Sequence, residues 1–158
     1  MLFRHGKSDW DAGFGADAER PLATRGINAA ERMGRFVAES GAIPELALTS
    51  PAVRARTTLE LAAAAGGWDC EIEVERSIYG GSYRTVLDVI HRFSDDHRRV
   101  LITGHEPTWS TLTSQLTGGS HFRFPTAAIA CIGLPGDWAE AAPDTGELQW
   151  FVTPKVLQ

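Results

Sequence analysis

Two histidines and two arginines stand at positions where an α/β fold places functional groups. His5 follows Arg4 at the end of a short apolar run, and His105 follows the β-branched run at 100–103. Arg54 falls in the predicted first turn of a helix. An unprotonated imidazole can attack phosphorus, a second, protonated imidazole can stabilise charge on the transferring oxygens, and guanidinium groups bind dianions. Either histidine alone would be interpreted as structural, but together the four side chains indicate phosphoryl chemistry.

Arg54 is informative because of its place in the helix. The first turn carries the positive end of the helix dipole, so a cation there is unfavourable. A phosphate at the same spot would reverse that cost, because a helix N-terminus and a guanidinium group both bind the dianion. Taken alone, Arg54 would more often be a surface arginine, which is our interpretation of Arg56.

The elements that position these residues alternate between strand and helix. The predicted strands are 2–5, 46–49, 71–74, 100–103, 127–134 and 148–152, and the predicted helices are 24–40, 51–65, 83–93 and 107–116. Ser50 is expected to cap the second helix, with Pro51 at its first position. Such alternation predicts a three-layer α/β/α sandwich with a mostly parallel sheet and antiparallel pairing at its C-terminal strands. Ligands bind beyond the carboxyl ends of parallel strands, so the strand ends that carry the four residues are expected to converge.

Composition narrows the class of protein. A chain of 158 residues without repeat or linker predicts one domain over residues 1–158. A net charge of -5 and a pI near 5.5 provide no overall attraction to nucleic acid or an anionic membrane. The chain has no signal-peptide stretch and no apolar run of about 18 residues. We therefore expect a cytoplasmic monomer with no nucleic-acid or membrane partner.

Several stretches of the chain resemble the histidine phosphatase superfamily, and specifically its small SixA-type phosphohistidine phosphatases. The matching stretches are Arg4-His5-Gly6-Lys7-Ser8, Arg20-Pro21-Leu22, Arg25-Gly26, Ser50-Pro51-Ala52-Val53-Arg54-Ala55, Gly104-His105-Glu106-Pro107 and Pro125-Thr126-Ala127-Ala128-Ile129-Ala130. Their order and spacing, from the first residue to about residue 152, carry the resemblance. It implies a phosphoglycerate mutase-like fold.

The resemblance also implies roles for individual residues. His5 is phosphorylated, Arg4 and Arg54 bind the phosphoryl oxygens, and His105 completes the pocket, with neither a metal nor an organic cofactor. Two arginines oppose the charge of about -1.5 to -2 on the phosphoryl group. We expect one ring nitrogen of His5 to donate to a backbone carbonyl, which leaves the other unprotonated for attack.

Residues next to the histidines are further candidates for substrate binding. Lys7 and Ser8 are expected either to line the mouth of the pocket or to be plain loop residues. Glu106, beside His105, is a candidate substrate contact or proton donor. Its alternative interpretation is a helix-start residue favoured by the dipole.

The chain departs from its resemblance at the residue that protonates a leaving alcohol. Superfamily members that cleave or transfer phosphate between alcohols usually carry this acid in an insertion after the third strand. In this chain the corresponding segment, residues 75–81, is short. Glu75 is a possible donor, although a strand-end surface charge fits it better. Phosphohistidine needs no such acid, because its leaving imidazole has a conjugate acid of pKa ~6.5.

We therefore expect the substrate to be phosphohistidine in a protein, such as a histidine phosphotransfer domain or a phosphocarrier. The alternatives are a small-molecule phosphomonoesterase of the same chemistry and a phosphate-binding module without turnover. The family usually has several more residues before the arginine that precedes the first histidine. A longer first strand is thus expected if the natural chain starts upstream of Met1.

Overall fold

A six-stranded mixed sheet forms the centre of the computed structural model, which describes residues 1–157. The strands are β1 (Leu2–Arg4), β2 (Leu46–Thr49), β3 (Glu71–Val74), β4 (Val100–Gly104), β5 (Ile129–Gly133) and β6 (Glu147–Val152). Their order across the sheet is β3-β2-β4-β1-β5-β6. The β2–β3, β2–β4 and β1–β4 pairs are parallel, whereas β5 is antiparallel to both β1 and β6. The predicted mostly parallel sheet with antiparallel C-terminal pairing is confirmed.

Helices cover both faces of the sheet. They are α1 (Thr24–Glu39), α2 (Val53–Gly66), α3 (Tyr83–Ile90) and α4 (Thr108–Leu116). Because side chains alternate along a strand, Phe3 and Leu101 pack with α1 and α2, whereas Leu2 and Ile102 pack with α3 and α4. The predicted three-layer sandwich is confirmed. Within residues 1–157, no helix is both long and apolar enough to cross a bilayer.

The start of α2 differs from the sequence prediction. Ser50 and Pro51 do not cap and begin the helix; Ala52 is its N-cap residue, with extended backbone, and Val53 is its first residue. Ser50 instead closes the turn before the helix, where its Oγ accepts a hydrogen bond from the Ala52 N–H at 3.3 Å. The helix therefore begins two residues later than predicted, and residues 50–52 carry the chain from the end of β2 to its start. This path leaves the Ser50 hydroxyl beside the edge of the sheet.

Close backbone packing holds the loop after β1 in place. A Cβ on Gly6 would lie 2.8 Å from the Gly26 carbonyl oxygen, and a Cβ on Gly26 would overlap the Lys7 carbonyl oxygen. Both positions therefore need glycine, because the atoms in the way belong to the backbone. The Gly6 N–H also donates to Thr58 Oγ1 at 2.9 Å. These contacts tie the loop that follows His5 to both α1 and α2.

Candidate active site

A cleft of about 660 Å³ opens at the carboxyl ends of the parallel strands. Its charged and titratable lining residues are Arg4, His5, Arg20, Arg54, Tyr79, His105 and Glu106. The structure thus brings the four side chains singled out in the sequence to one place. The ends of β1, β2 and β4 therefore converge, as the sequence predicted.

His5 is held in one orientation and one protonation state. Its Nδ1 lies 2.7 Å from the Gly6 carbonyl oxygen, and because a carbonyl only accepts, Nδ1 is the donor. Burial, assisted by the charges of His105, Arg54 and Arg4, lowers the pKa of His5 to about 3. Nε2 is therefore unprotonated at neutral pH. The expected hydrogen bond from His5 to a backbone carbonyl is present.

His105 faces His5 across the cleft. The ring centroids are 5.1 Å apart, and His105 Nε2 lies 2.8 Å from Ser50 Oγ. Burial, followed by the charge of Arg54, lowers the pKa of His105 to about 4. His105 is thus neutral at pH 7 in this structure, whereas the sequence analysis expected a protonated imidazole beside the transferring phosphoryl oxygens. Sequence reasoning overlooked the desolvation of the second imidazole, and it treated Ser50 as a helix cap.

Both predicted arginines are anchored by backbone carbonyls. Arg54, the second residue of α2, donates from Nη1 to the Asp17 carbonyl oxygen at 2.7 Å. Arg4 donates from Nη1 to the Phe124 carbonyl oxygen at 2.6 Å. The Nε atoms of both arginines are buried without a hydrogen-bond partner in residues 1–157. Each guanidinium group is thus fixed at one end and keeps donors for an anion.

Arg4 and Arg54 supply part of the positive charge of the cleft. Burial lowers the pKa of Arg4, and the nearby charge of Glu106 opposes that shift. Among residues 1–157, no group of three or more His, Cys, Asp or Glu side chains is arranged to hold a metal ion.

An acidic residue that the sequence did not single out joins the arginines. Asp17 forms ion pairs with Arg20 at 2.8 Å and with Arg54 at 3.0 Å, and it accepts a hydrogen bond from the Tyr79 hydroxyl at 3.0 Å. The hydrogen bond from Arg20, with smaller contributions from Tyr79 and Arg54, lowers the pKa of Asp17 to about 2. The only sequence signal for this cluster is the three-residue spacing of Asp17 and Arg20.

Arg20 is a third cationic side chain of the cleft. It is buried, and its guanidinium group stacks 3.7 Å from the centroid of the exposed Trp10 ring. In the sequence it belongs to a stretch that carries the resemblance, without an assigned role. Ser8 is buried behind the cleft, where its hydroxyl accepts a hydrogen bond from Arg20, and neither Ser8 nor Lys7 lines the cleft. Ser8 therefore meets the cleft through its hydrogen bond with Arg20.

The two glutamates considered as proton donors have other partners. Glu75 lies outside the cleft lining, accepts hydrogen bonds from the Ser77 N–H and hydroxyl at 2.9 and 2.7 Å, and pairs with Arg92 at 3.3 Å. The bonds from Ser77 lower the pKa of Glu75, so it is a surface carboxylate and not a donor to the cleft. Glu106 does line the cleft, but its Oε2 accepts from the Ser110 N–H at 3.1 Å and hydroxyl at 2.8 Å.

The sheet and cleft together define an α/β protein whose strand ends gather two imidazole and three guanidinium groups. The model of the histidine phosphatase superfamily (branch 1) matches residues 1–78. A Mycobacterium tuberculosis protein described as uncharacterized is 35% identical over 162 residues, which cover 96% of this chain and 99% of that one. The chain belongs to the histidine phosphatase superfamily.

Solved structures extend the comparison to the whole fold. A structure of the protein histidine phosphatase SixA complexed with tungstate is 27% identical, with a TM-score of 0.86 over 99% of this chain and 97% of that chain. The α-ribazole phosphatase from Shigella flexneri is 17% identical, with a TM-score of 0.70 over 97% of this chain and 95% of that chain. The second likeness shows the fold alone, whereas the first supports a SixA-type member of the superfamily.

Proposed function

We propose that this protein hydrolyses phosphohistidine in a partner protein, through a phosphoryl group carried briefly on His5. In the first step, the lone pair of His5 Nε2 attacks phosphorus, and the P–N bond of the substrate breaks. The substrate imidazole, protonated on its other ring nitrogen, keeps the electron pair of that bond and leaves as neutral imidazole. In the second step, water attacks the phosphorus on His5, the second P–N bond breaks, and inorganic phosphate and the free imidazole of His5 are formed.

The side chains around His5 fit the charges that change in these steps. Arg4 and Arg54 retain buried Nε donors for the phosphoryl oxygens, and His105 adds a ring nitrogen. Such donors stabilise charge best when they are already oriented, because no reorganisation is needed during the reaction. The backbone carbonyls that hold both arginines supply that orientation.

The observation that carries the choice of substrate is the placement of the carboxylates. Glu75 lies outside the cleft, and Asp17 is ion-paired with a pKa of about 2, so it is ionised at neutral pH. Glu106 is hydrogen-bonded to the first turn of α4. A leaving alkoxide needs a proton donor, whereas a leaving imidazole does not, because its conjugate acid has a pKa of ~6.5. The site therefore favours a P–N substrate.

The shape of the cleft supports a protein as the substrate. The segment between β3 and α3 is short and contains one 3-10 turn, Arg76–Ile78. No inserted lid covers the cleft on this side in residues 1–157, so a side chain that protrudes from a folded protein can reach His5. The similarity to SixA, described as a protein histidine phosphatase, supports the same choice.

The covalent step is tested with a His5→Ala variant and a matched His121→Ala control, since His121 is exposed and outside the cleft lining. Loss of turnover in H5A alone is expected, and quenched wild-type protein should carry an acid-labile phosphoryl label that H5A lacks. Turnover by H5A together with an unlabelled wild type would refute the mechanism.

The substrate is tested by comparing kcat/KM for a phosphohistidine peptide with kcat/KM for sugar phosphates. We expect the peptide to be preferred. Preference for sugar phosphates would refute the P–N substrate and leave a small-molecule phosphatase. Absence of hydrolysis with every phosphorylated compound would leave a phosphate-binding module.

A further inference from the structure

The two ring nitrogens of His105 have different surroundings. Nε2 lies 2.8 Å from Ser50 Oγ, whereas Nδ1 is buried without a hydrogen-bond partner in residues 1–157. His105 lines the cleft, and its ring lies 5.1 Å from the ring of His5, measured between centroids. The nitrogen that carries the proton therefore decides what His105 offers to a group bound beside His5.

Ser50 is bonded in a way that restricts its hydroxyl hydrogen. Ser50 is completely buried, and its Oγ already accepts a hydrogen bond from the Ala52 N–H at 3.3 Å. Among residues 1–157, His105 Nε2 is the one partner left to which the hydroxyl can donate. If Nε2 carried the imidazole proton instead, the serine hydrogen would be buried without an acceptor, which native structures avoid.

We propose that Ser50 is a positioning residue: its hydroxyl donates to Nε2 of His105 and so keeps the imidazole proton on Nδ1. The Nδ1–H then donates to an oxygen of the phosphoryl group beside His5. Ser50 acts only through His105. Its effect on turnover rests on the proposed function, whereas the tautomer is a property of the folded protein and is measured without any substrate.

The tautomer is read directly by NMR. Long-range ¹H–¹⁵N correlation spectra of the ¹⁵N-labelled protein at pH 7 distinguish the neutral Nδ1–H, the neutral Nε2–H and the doubly protonated imidazole. An H105N variant identifies the His105 signals. We expect the neutral Nδ1–H form in the wild type. Either of the other two forms would overturn the proposal.

Substitutions then test the role of the hydroxyl. S50A should shift His105 toward the Nε2–H form and lower kcat on a phosphohistidine peptide about 10- to 100-fold, with a smaller change in KM. S50T keeps a hydroxyl and should restore the Nδ1–H form and most of kcat. T103V is the matched control, because the Thr103 hydroxyl is buried near the end of β4 without a partner in residues 1–157.

The outcomes separate this inference from the proposed function. A S50A variant that keeps the Nδ1–H form, or keeps wild-type kcat, would overturn the role of Ser50. A T103V variant that loses the Nδ1–H form would also overturn it, because loss of any buried hydroxyl would then suffice. A wild-type protein with the Nδ1–H form but no turnover would contradict the proposed function and leave the link between Ser50 and His105 intact.

Discussion

Acidification from pH 7 to pH 5 should destabilise the protein through the two imidazoles of the cleft. Burial lowers the pKa of His5 to about 3 and that of His105 to about 4, from a value of 6.5 expected in the unfolded chain. At a pH between the folded and the unfolded pKa values, the unfolded chain binds more protons than the folded one. The free energy of unfolding therefore falls as the pH falls through this range. Each imidazole contributes a loss of about 2 kcal/mol by pH 5, and the pair about 4 kcal/mol.

The assay is urea-induced unfolding followed by tryptophan fluorescence at pH 7, 6 and 5 and constant ionic strength. A double variant, H5N with H105N, removes both titrations and is the control. Asp17, whose pKa of about 2 lies below its usual 3.8, loses its contribution only at lower pH and does not affect this window. We expect the double variant to lose about 4 kcal/mol less than the wild type between pH 7 and pH 5. Equal losses in the two proteins would refute the argument that both imidazoles are held neutral by burial.

Three further substitutions test particular contacts. D17N should tighten the binding of inorganic phosphate about threefold at low salt, because the Asp17 carboxylate, which pairs with Arg54, competes with phosphate for that guanidinium group. Calorimetry measures the affinity, and weaker binding would contradict this prediction. G26A should lower the free energy of unfolding in urea by about 1–3 kcal/mol, because its Cβ would overlap the Lys7 carbonyl oxygen; unchanged stability would show that the loop can move. E106Q should nearly retain kcat on a phosphohistidine peptide, whereas a loss of about 100-fold or more would identify a general acid.

Local patterns predicted most of the fold. Helix α1 was expected at 24–40 and lies at Thr24–Glu39, because its apolar residues recur at helical spacing up to a glycine stop. Helix α3 was expected to end at residue 93 but ends at Ile90, since residues 91–93 continue only as a turn. The start of α2 was wrong because a serine-proline pair suits both a helix cap and the turn before a helix, and only packing at the sheet edge separates the two.

The side chains that act through other side chains were much harder to predict. Asp17 meets Arg54 across 37 positions of sequence, and Ser50 meets His105 across 55. Glu75, in contrast, is close in sequence to residues that line the cleft, because it directly follows β3 and precedes residues 78–82. Its carboxylate nevertheless contacts Ser77 and Arg92. Sequence spacing does not define such pairs, because the folded path of the chain sets the distances between them.

By itself, the sequence determined the alternation of strands and helices and the presence of His5, Arg4, Arg54 and His105 at strand ends or a helix start. These features depend on the periodicity of apolar residues and on short-range turn chemistry, which act within a few residues. The tertiary structure alone decided that both imidazoles are neutral, that the arginines are anchored by backbone carbonyls, and that the nearby carboxylates are ion-paired or hydrogen-bonded. Protonation and anchoring depend on burial and on distances between remote residues, and folding of the whole chain establishes both.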